Sequence, residues 1–228
     1  PHGLQGCTAR HSLVRISHPT QVGAILKLPV VSLGATVLTT ALATLGGYGL
    51  TRAQFRGKRN VARGVLFSYM FPPILLAIPL YSIFYNLGLL NSYLSLMLAH
   101  TAITLPFSMW IMWQFFQTIP IEYEESAWIS GAGRLRAFWD VVLPMSRPGT
   151  IAIAIFSFAL SWNDYTFAVV VMTDSAKQTL PVGVNTFIEQ TAVNWGLILS
   201  GGVLIMIPAF LLILFLQRYL LQGFQVAH

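Results

Sequence analysis

The chain has 228 residues, 55% of them hydrophobic and only 9% charged, with a mean hydropathy of +0.68 and a net charge of +6. Soluble domains carry about 25% charged residues, so the composition excludes an ordinary water-soluble fold. The single cysteine, Cys7, excludes an intrachain disulfide and a cysteine-based metal cluster.

Apolar runs of about 20 residues cross a bilayer as helices, and five such runs predict an all-α, polytopic membrane bundle. Residues 1–25 precede them as an atypical segment, beginning at Pro1 with no methionine and no signal-peptide pattern. The first predicted span, 28–50, ends in LGGYGL and leads into the basic connection TRAQFRGKRNVAR (51–63). The second, 64–87, contains Pro72, Pro73 and Pro79; the third, 93–116, contains Pro106. The fourth covers 150–172, and the fifth, 197–221, contains Pro208. Proline is tolerated inside spans whose neighbours satisfy the freed carbonyls, which predicts kinked, mutually packed helices.

The basic residues lie in the connections, where membrane orientation explains them better than nucleic acid does. From residue 51 onward, Arg52, Arg56, Lys58, Arg59, Arg63, Arg134, Arg136, Arg147 and Arg218 fall on one side of this scheme, and Lys177 on the other. The excess places 51–63, 118–149 and the C-terminus in the cytoplasm. The loop 173–197 then faces outward, either toward a partner or as a packed re-entrant loop. Arg10, Arg15 and Lys27 fall on the wrong side, which implies a further span upstream or a segment that is not native in character.

The stretch 122–149, EYEESAWISGAGRLRAFWDVVLPMSRPG, holds four of the seven acidic residues. Pro120 suits a first helical turn, and Glu122, Glu124 and Glu125 favour the positive end of a helix dipole. This predicts a short helix over 121–130, with Glu122 and Glu124 as its solvated start. Gly131 and Gly133 interrupt it. RLRAFWDVV restarts a helix with Leu135, Phe138, Trp139 and Val142 near one face, and Pro144 is expected to end it. Such a loop suits either interfacial helices, with Trp128, Phe138 and Trp139 on the headgroups, or a docking element for a soluble partner.

The segment resembles the EAA motif of permease subunits of ATP-binding-cassette (ABC) importers: EAA, three residues, Gly, nine residues, Ile, one residue, Leu-Pro. Glu125, Ser126 and Ala127, then Gly131, Val141, Leu143 and Pro144 keep every spacing, with Ser126 standing for alanine and Val141 for isoleucine. YGLTRAQFRGKR, GLLNSYLSL and FALSWNDYTFAVVV are similar to segments of the MalG-like carbohydrate branch, and the likeness covers about residues 30–224. The resemblance implies an ABC importer permease fold over 26–224, with the coupling-helix loop at 118–149 and the usual first of six spans missing. It implies a carbohydrate, an oligosaccharide or related polyol, imported across a bacterial or archaeal cytoplasmic membrane. The implied partners are a second permease, two cytoplasmic ATPases and an extracytoplasmic sugar-binding protein. Glu125 and Ala127 would lie in the ATPase-docking face, and Gly131 would make the turn. ATP and Mg would belong to the ATPase, leaving this chain without cofactor, metal or catalytic residue.

Intramembrane charge is expensive and often functional. Asp164 falls near the centre of the fourth span beside Trp162, Asn163 and Tyr165. Aromatic faces with amide and carboxylate acceptors suit a sugar path, while the same polar pair suits capping of a local break or bonding between helices. His100 in the third span reads first as a helix-bonding group. An ATP-independent transporter or channel predicts buried coupling carboxylates and an internal repeat, against one Asp164 and no repeat. HExxH, GxSxG and GxxxxGK[ST] are absent from the sequence, which disfavours a membrane enzyme.

Overall fold

The computed structural model describes residues 19–224 apart from 55, 175–176, 180 and 183–194. Most of the atypical segment and most of the outward loop 173–197 therefore lie outside the described residues. The elements in chain order are α1 (Pro19–Arg52), α2 (Lys58–Ser68), α3 (Pro73–Asn86), α4 (Tyr93–Gln117) and α5 (Glu122–Ile129). They continue as α6 (Arg134–Met145), α7 (Arg147–Trp162), α8 (Thr166–Val171) and α9 (Trp195–Phe224).

The first and third predicted spans are single helices long and apolar enough to cross a bilayer, Lys27–Arg52 and Tyr93–Gln117. The second and fourth are broken, and this corrects the continuous spans expected from hydropathy. Pro72 and Pro73 offer no backbone N–H, and the residue before a proline is pushed out of the α region. The helix therefore stops at Ser68 and restarts at Pro73, with 92° between α2 and α3. In the fourth span, α7 stops at Trp162, and the Asp164 carboxylate accepts from the N–H groups of Phe167 and Ala168, each at 3.1 Å. That cap starts α8. Pro79, Pro106 and Pro208 remain inside α3, α4 and α9.

The most extensive helix pair is α1 with α4. Residue pairings rise together along both helices: Gly34 faces Met97, Thr39 faces Thr104, and Gly47 faces Met112. The pair is therefore parallel. A Cβ at Gly47 would come within 2.8 Å of Met112 Cβ and 2.9 Å of the Trp113 nitrogen, so only glycine permits this approach. Between α4 and α7 the pairings run oppositely: His100 meets Ser161, Thr104 meets Ser157, and Phe115 covers Gly149. These helices form an antiparallel pair around the charged loop.

Along this bundle two apolar clusters are stacked with a polar belt between them. One contains Val31, Ala77, Phe84, Leu96, Ala99, Phe167 and Val171; the other contains Ala43, Met112, Phe116, Phe138, Val142 and Ile153. His100, Thr104 and Ser108, one helical turn apart on α4, form the belt with Thr39, Ser157 and Ser161. Thr39 Oγ1 and Thr104 Oγ1 lie 2.9 Å apart, and Thr104 also donates to the His100 carbonyl at 2.8 Å.

Candidate functional site

The charged loop folds as α5, a glycine turn and α6. The limits of α5 agree with the residues, but the faces of the loop and the end of α6 do not. Glu124, expected as part of a solvated start, is fully buried. It accepts from Arg52 Nε at 2.6 Å and from the Tyr48 hydroxyl at 2.8 Å, while Arg52 Nη2 donates to the Ile119 carbonyl at 3.0 Å. Desolvating a carboxylate is tolerable only with such pairing, and these bonds tie α5 to the end of α1. Phe138 packs beside Tyr48, ring centroids 4.7 Å apart, and it is buried along with Ala137 and Val142.

Leu135 and Trp139 do not share that face. They are exposed, at 77% and 60%, as is Ile129 at 88%. Phe138 and Val142, four residues apart, define the anchored side, and Leu135 and Trp139, also four apart, define the free one. Pro144 does not end α6. A π-helical turn over Phe138–Val142 widens the helix ahead of the proline, Leu143 keeps α backbone angles (φ −64, ψ −44), and the helix runs to Met145. It then bends by 76° into α7.

Gly131 adopts φ +88, a left-handed conformation that glycine enters without a Cβ clash. Gly131 N donates to the Trp128 carbonyl and Ala132 N to the Ala127 carbonyl, both at 2.9 Å, closing α5 with a Schellman cap. Gly133 has φ −70 and needs no such freedom. Ala127, Gly131 and Val141 line one cleft of about 290 Å3 with Arg136 and Asp140, the last two an exposed pair at 3.2 Å. Glu125 and Ser126 are exposed, and Leu143 and Pro144 half-buried.

A second concavity, of 380 Å3 and half open to the surface, lies where the two helix breaks approach each other. Its lining includes Tyr69, Phe71, Pro72, His100, Asp164 and Phe167. His100 is buried, with Nδ1 2.6 Å from Ser161 Oγ and Nε2 3.1 Å from Asp164 Oδ2. Of the residues 162–165, Asp164 alone lines this pocket. Trp162 is buried on another side and donates its indole N–H to the Ile205 carbonyl of α9 at 3.0 Å. Asn163 donates back to the Ala159 carbonyl at 2.8 Å, and Tyr165 is 40% exposed.

Residues 40–226 match the family of binding-protein-dependent transport system inner membrane components. The chain belongs to that family. It is a multi-pass ABC transporter permease, and the helical bundle agrees with that class. The permease is 32% identical over 91% of its length to the trehalose/maltose transport system permease protein MalG of Thermococcus litoralis, covering 76% of that protein. It is 35% identical over 83% of its length to the diacetylchitobiose uptake system permease protein NgcG of Streptomyces coelicolor, covering 63% of it. A crystal structure of a bacterial ABC transporter involved in the import of the acidic polysaccharide alginate superposes with a TM-score of 0.77. That match covers 91% of this permease and 78% of that chain at 22% identity, a likeness of fold.

Two arrangements in the permease escaped the reading by residue type: the burial of Glu124 and the pairing of His100 with Asp164. Glu124 was grouped with Glu122 as a solvated helix start, and only the partners from α1 single it out. His100 and Asp164 are 64 residues apart; the stripe His100, Thr104, Ser108 was the available signal, since three polar groups one turn apart mark an inward face.

Proposed function

We propose that this permease carries a carbohydrate, an oligosaccharide or related polyol, across a bacterial or archaeal cytoplasmic membrane. It does so with a second permease, and a sugar-binding protein supplies the solute from outside. Relatives named for trehalose, maltose and diacetylchitobiose support the substrate class. ATP and Mg act on two partner ATPases, which dock against the loop carrying Glu125, Ser126, Ala127, Gly131, Val141, Leu143 and Pro144. Asp164 belongs to the solute path, with Trp162, Asn163 and Tyr165 supporting it from the same helix break.

The observation that carries the coupling role is the two-sidedness of the loop. Glu124, Phe138 and Val142 anchor it in the bundle, while Ile129, Leu135 and Trp139 stand free beside charged residues. Apolar anchors within a polar rim are what a docking helix presents. Displacement of α5 by a closing ATPase pair would reach α1 through Arg52 and α7 through α6.

The test is co-expression with the ATPase and second permease, detergent pull-down, and sugar-stimulated ATP hydrolysis, comparing wild type with Gly131→Asp and Leu135→Ser. Loss of capture, or hydrolysis that no longer answers to sugar, is expected in both variants. Equal capture and equal stimulation would reduce the loop to a membrane-surface element and put the ATPase contact elsewhere on the permease.

A further inference from the structure

Residues 69–72 and 163–165 interrupt two different spans, and both interruptions border the same 380 Å3 pocket. Non-helical backbone persists at membrane depth where protein covers it or where it lines a wet cavity. Discontinuous helices are also where transport sites are built. The volume falls within the range of about 300–1,000 Å3 typical of small-molecule sites. His100 sits seven residues into α4, about 10 Å below its outer end.

The polar chemistry of the pocket is specific. His100 is 4% exposed, and its Nε2 approaches Asp164 Oδ2 at 3.1 Å outside hydrogen-bond geometry, leaving that nitrogen buried without a hydrogen-bond partner. A bare lone pair on Nε2 would repel the carboxylate, so Nε2 carries a proton, and in the neutral ring the Ser161 hydroxyl donates to Nδ1. The result is an unused N–H donor beside a carboxylate, framed by Tyr69, Phe71 and Phe167. One hydroxyl group satisfies both ends, accepting from His100 and donating to Asp164.

We propose that this pocket is a solute subsite in which His100 Nε2–H and Asp164 together hold a hydroxyl of a neutral polyhydroxylated ligand. This rests on the carbohydrate reading above and narrows it. The aromatic walls cover C–H surface of the ligand. The fixed negative charge of Asp164 disfavours a ligand carboxylate, so acidic saccharides are rejected here.

The pocket offers a direct probe because Cys7 is the sole native cysteine. In the assembled transporter, Cys7→Ser with Ala102→Cys places one thiol of this chain on the exposed pocket rim. Its maleimide labelling rate is measured with trehalose, maltose, N,N′-diacetylchitobiose and, as acidic probe, an alginate disaccharide. Uptake of the same labelled sugars into proteoliposomes is measured in parallel. At least one neutral sugar that is taken up should slow labelling, and the acidic probe should not. His100→Gln and Asp164→Asn should raise the protecting concentration about tenfold, as expected for a lost hydrogen bond to a charged or strongly polar group. Asp164→Asn should also let the acidic probe protect. Uptake without protection, or protection indifferent to both variants, overturns the subsite while the carbohydrate reading stands. No uptake of any sugar overturns the carbohydrate reading and this inference with it.

Discussion

Replacing Arg52 with methionine leaves the Glu124 carboxylate buried with the Tyr48 hydroxyl as its remaining side-chain donor. Removing one member of a buried ion pair costs about 3–5 kcal/mol, because an uncompensated charge stays behind. Glu124 has no exposed side-chain surface, while Arg52 keeps 18% exposure, so water already screens part of the attraction. The expected loss is therefore at the low end, about 3 kcal/mol. Glu124→Met should cost a similar amount, since it strands the guanidinium at the end of α1. The double variant Arg52→Met/Glu124→Met removes both charges and keeps the volume, and such replacements are often neutral. Most of the loss should return: single losses of about 3 kcal/mol each and a double within about 1 kcal/mol of wild type give a coupling energy of about 5 kcal/mol in the double-mutant cycle. Equilibrium unfolding in mixed detergent micelles, followed by tryptophan fluorescence, reads each value. Single variants within about 0.5 kcal/mol of wild type, with additive behaviour in the double, would refute a buried, coupled pair.

Two helix contacts provide further checks by the same unfolding assay. Gly47→Ala forces a methyl group against Met112 and the Trp113 backbone and should cost about 1–3 kcal/mol. Gly49→Ala meets nothing within 4 Å and should be neutral or gain about 0.5–1 kcal/mol from helix propensity. Trp162→Phe keeps an aromatic ring in place but removes the indole N–H that ties α7 to the Ile205 carbonyl. It should cost about 1 kcal/mol and increase amide exchange where α9 meets α7.

Hydropathy located the spans because a bilayer demands long apolar runs, and it located the charged loop by contrast with them. It could not see the breaks at 69–72 and 163–165, because a sliding average counts proline and aspartate as small perturbations. Here Pro72 and Pro73 remove donors outright, and Asp164 supplies a cap. The Gly131 turn was legible because residue type and conformation correspond one to one there. Glu124 was not, since burial of a carboxylate depends on Arg52 and Tyr48, some seventy residues away in sequence. Pro144 misled for a local reason: the π-helical turn before it absorbs the ring that would otherwise stop a helix.

The methionine-over-glycine pairing between α1 and α4 also limits how the bundle can deform. If α4 slid by one turn, about 5.4 Å, Met97 would meet Val30 or Leu38 in place of Gly34. Met109 would meet Leu42 or Leu50 in place of Gly46. Larger neighbours would force both thioethers to repack, and Gly47 against Met112 Cβ and the Trp113 backbone leaves least room to move, so slippage between these helices is opposed in both directions. On the proposed coupling role, a push delivered at Glu124 would tilt α1 and α4 together. The give would then fall to the helix breaks at 69–72 and 163–165, the same two places that border the 380 Å3 pocket.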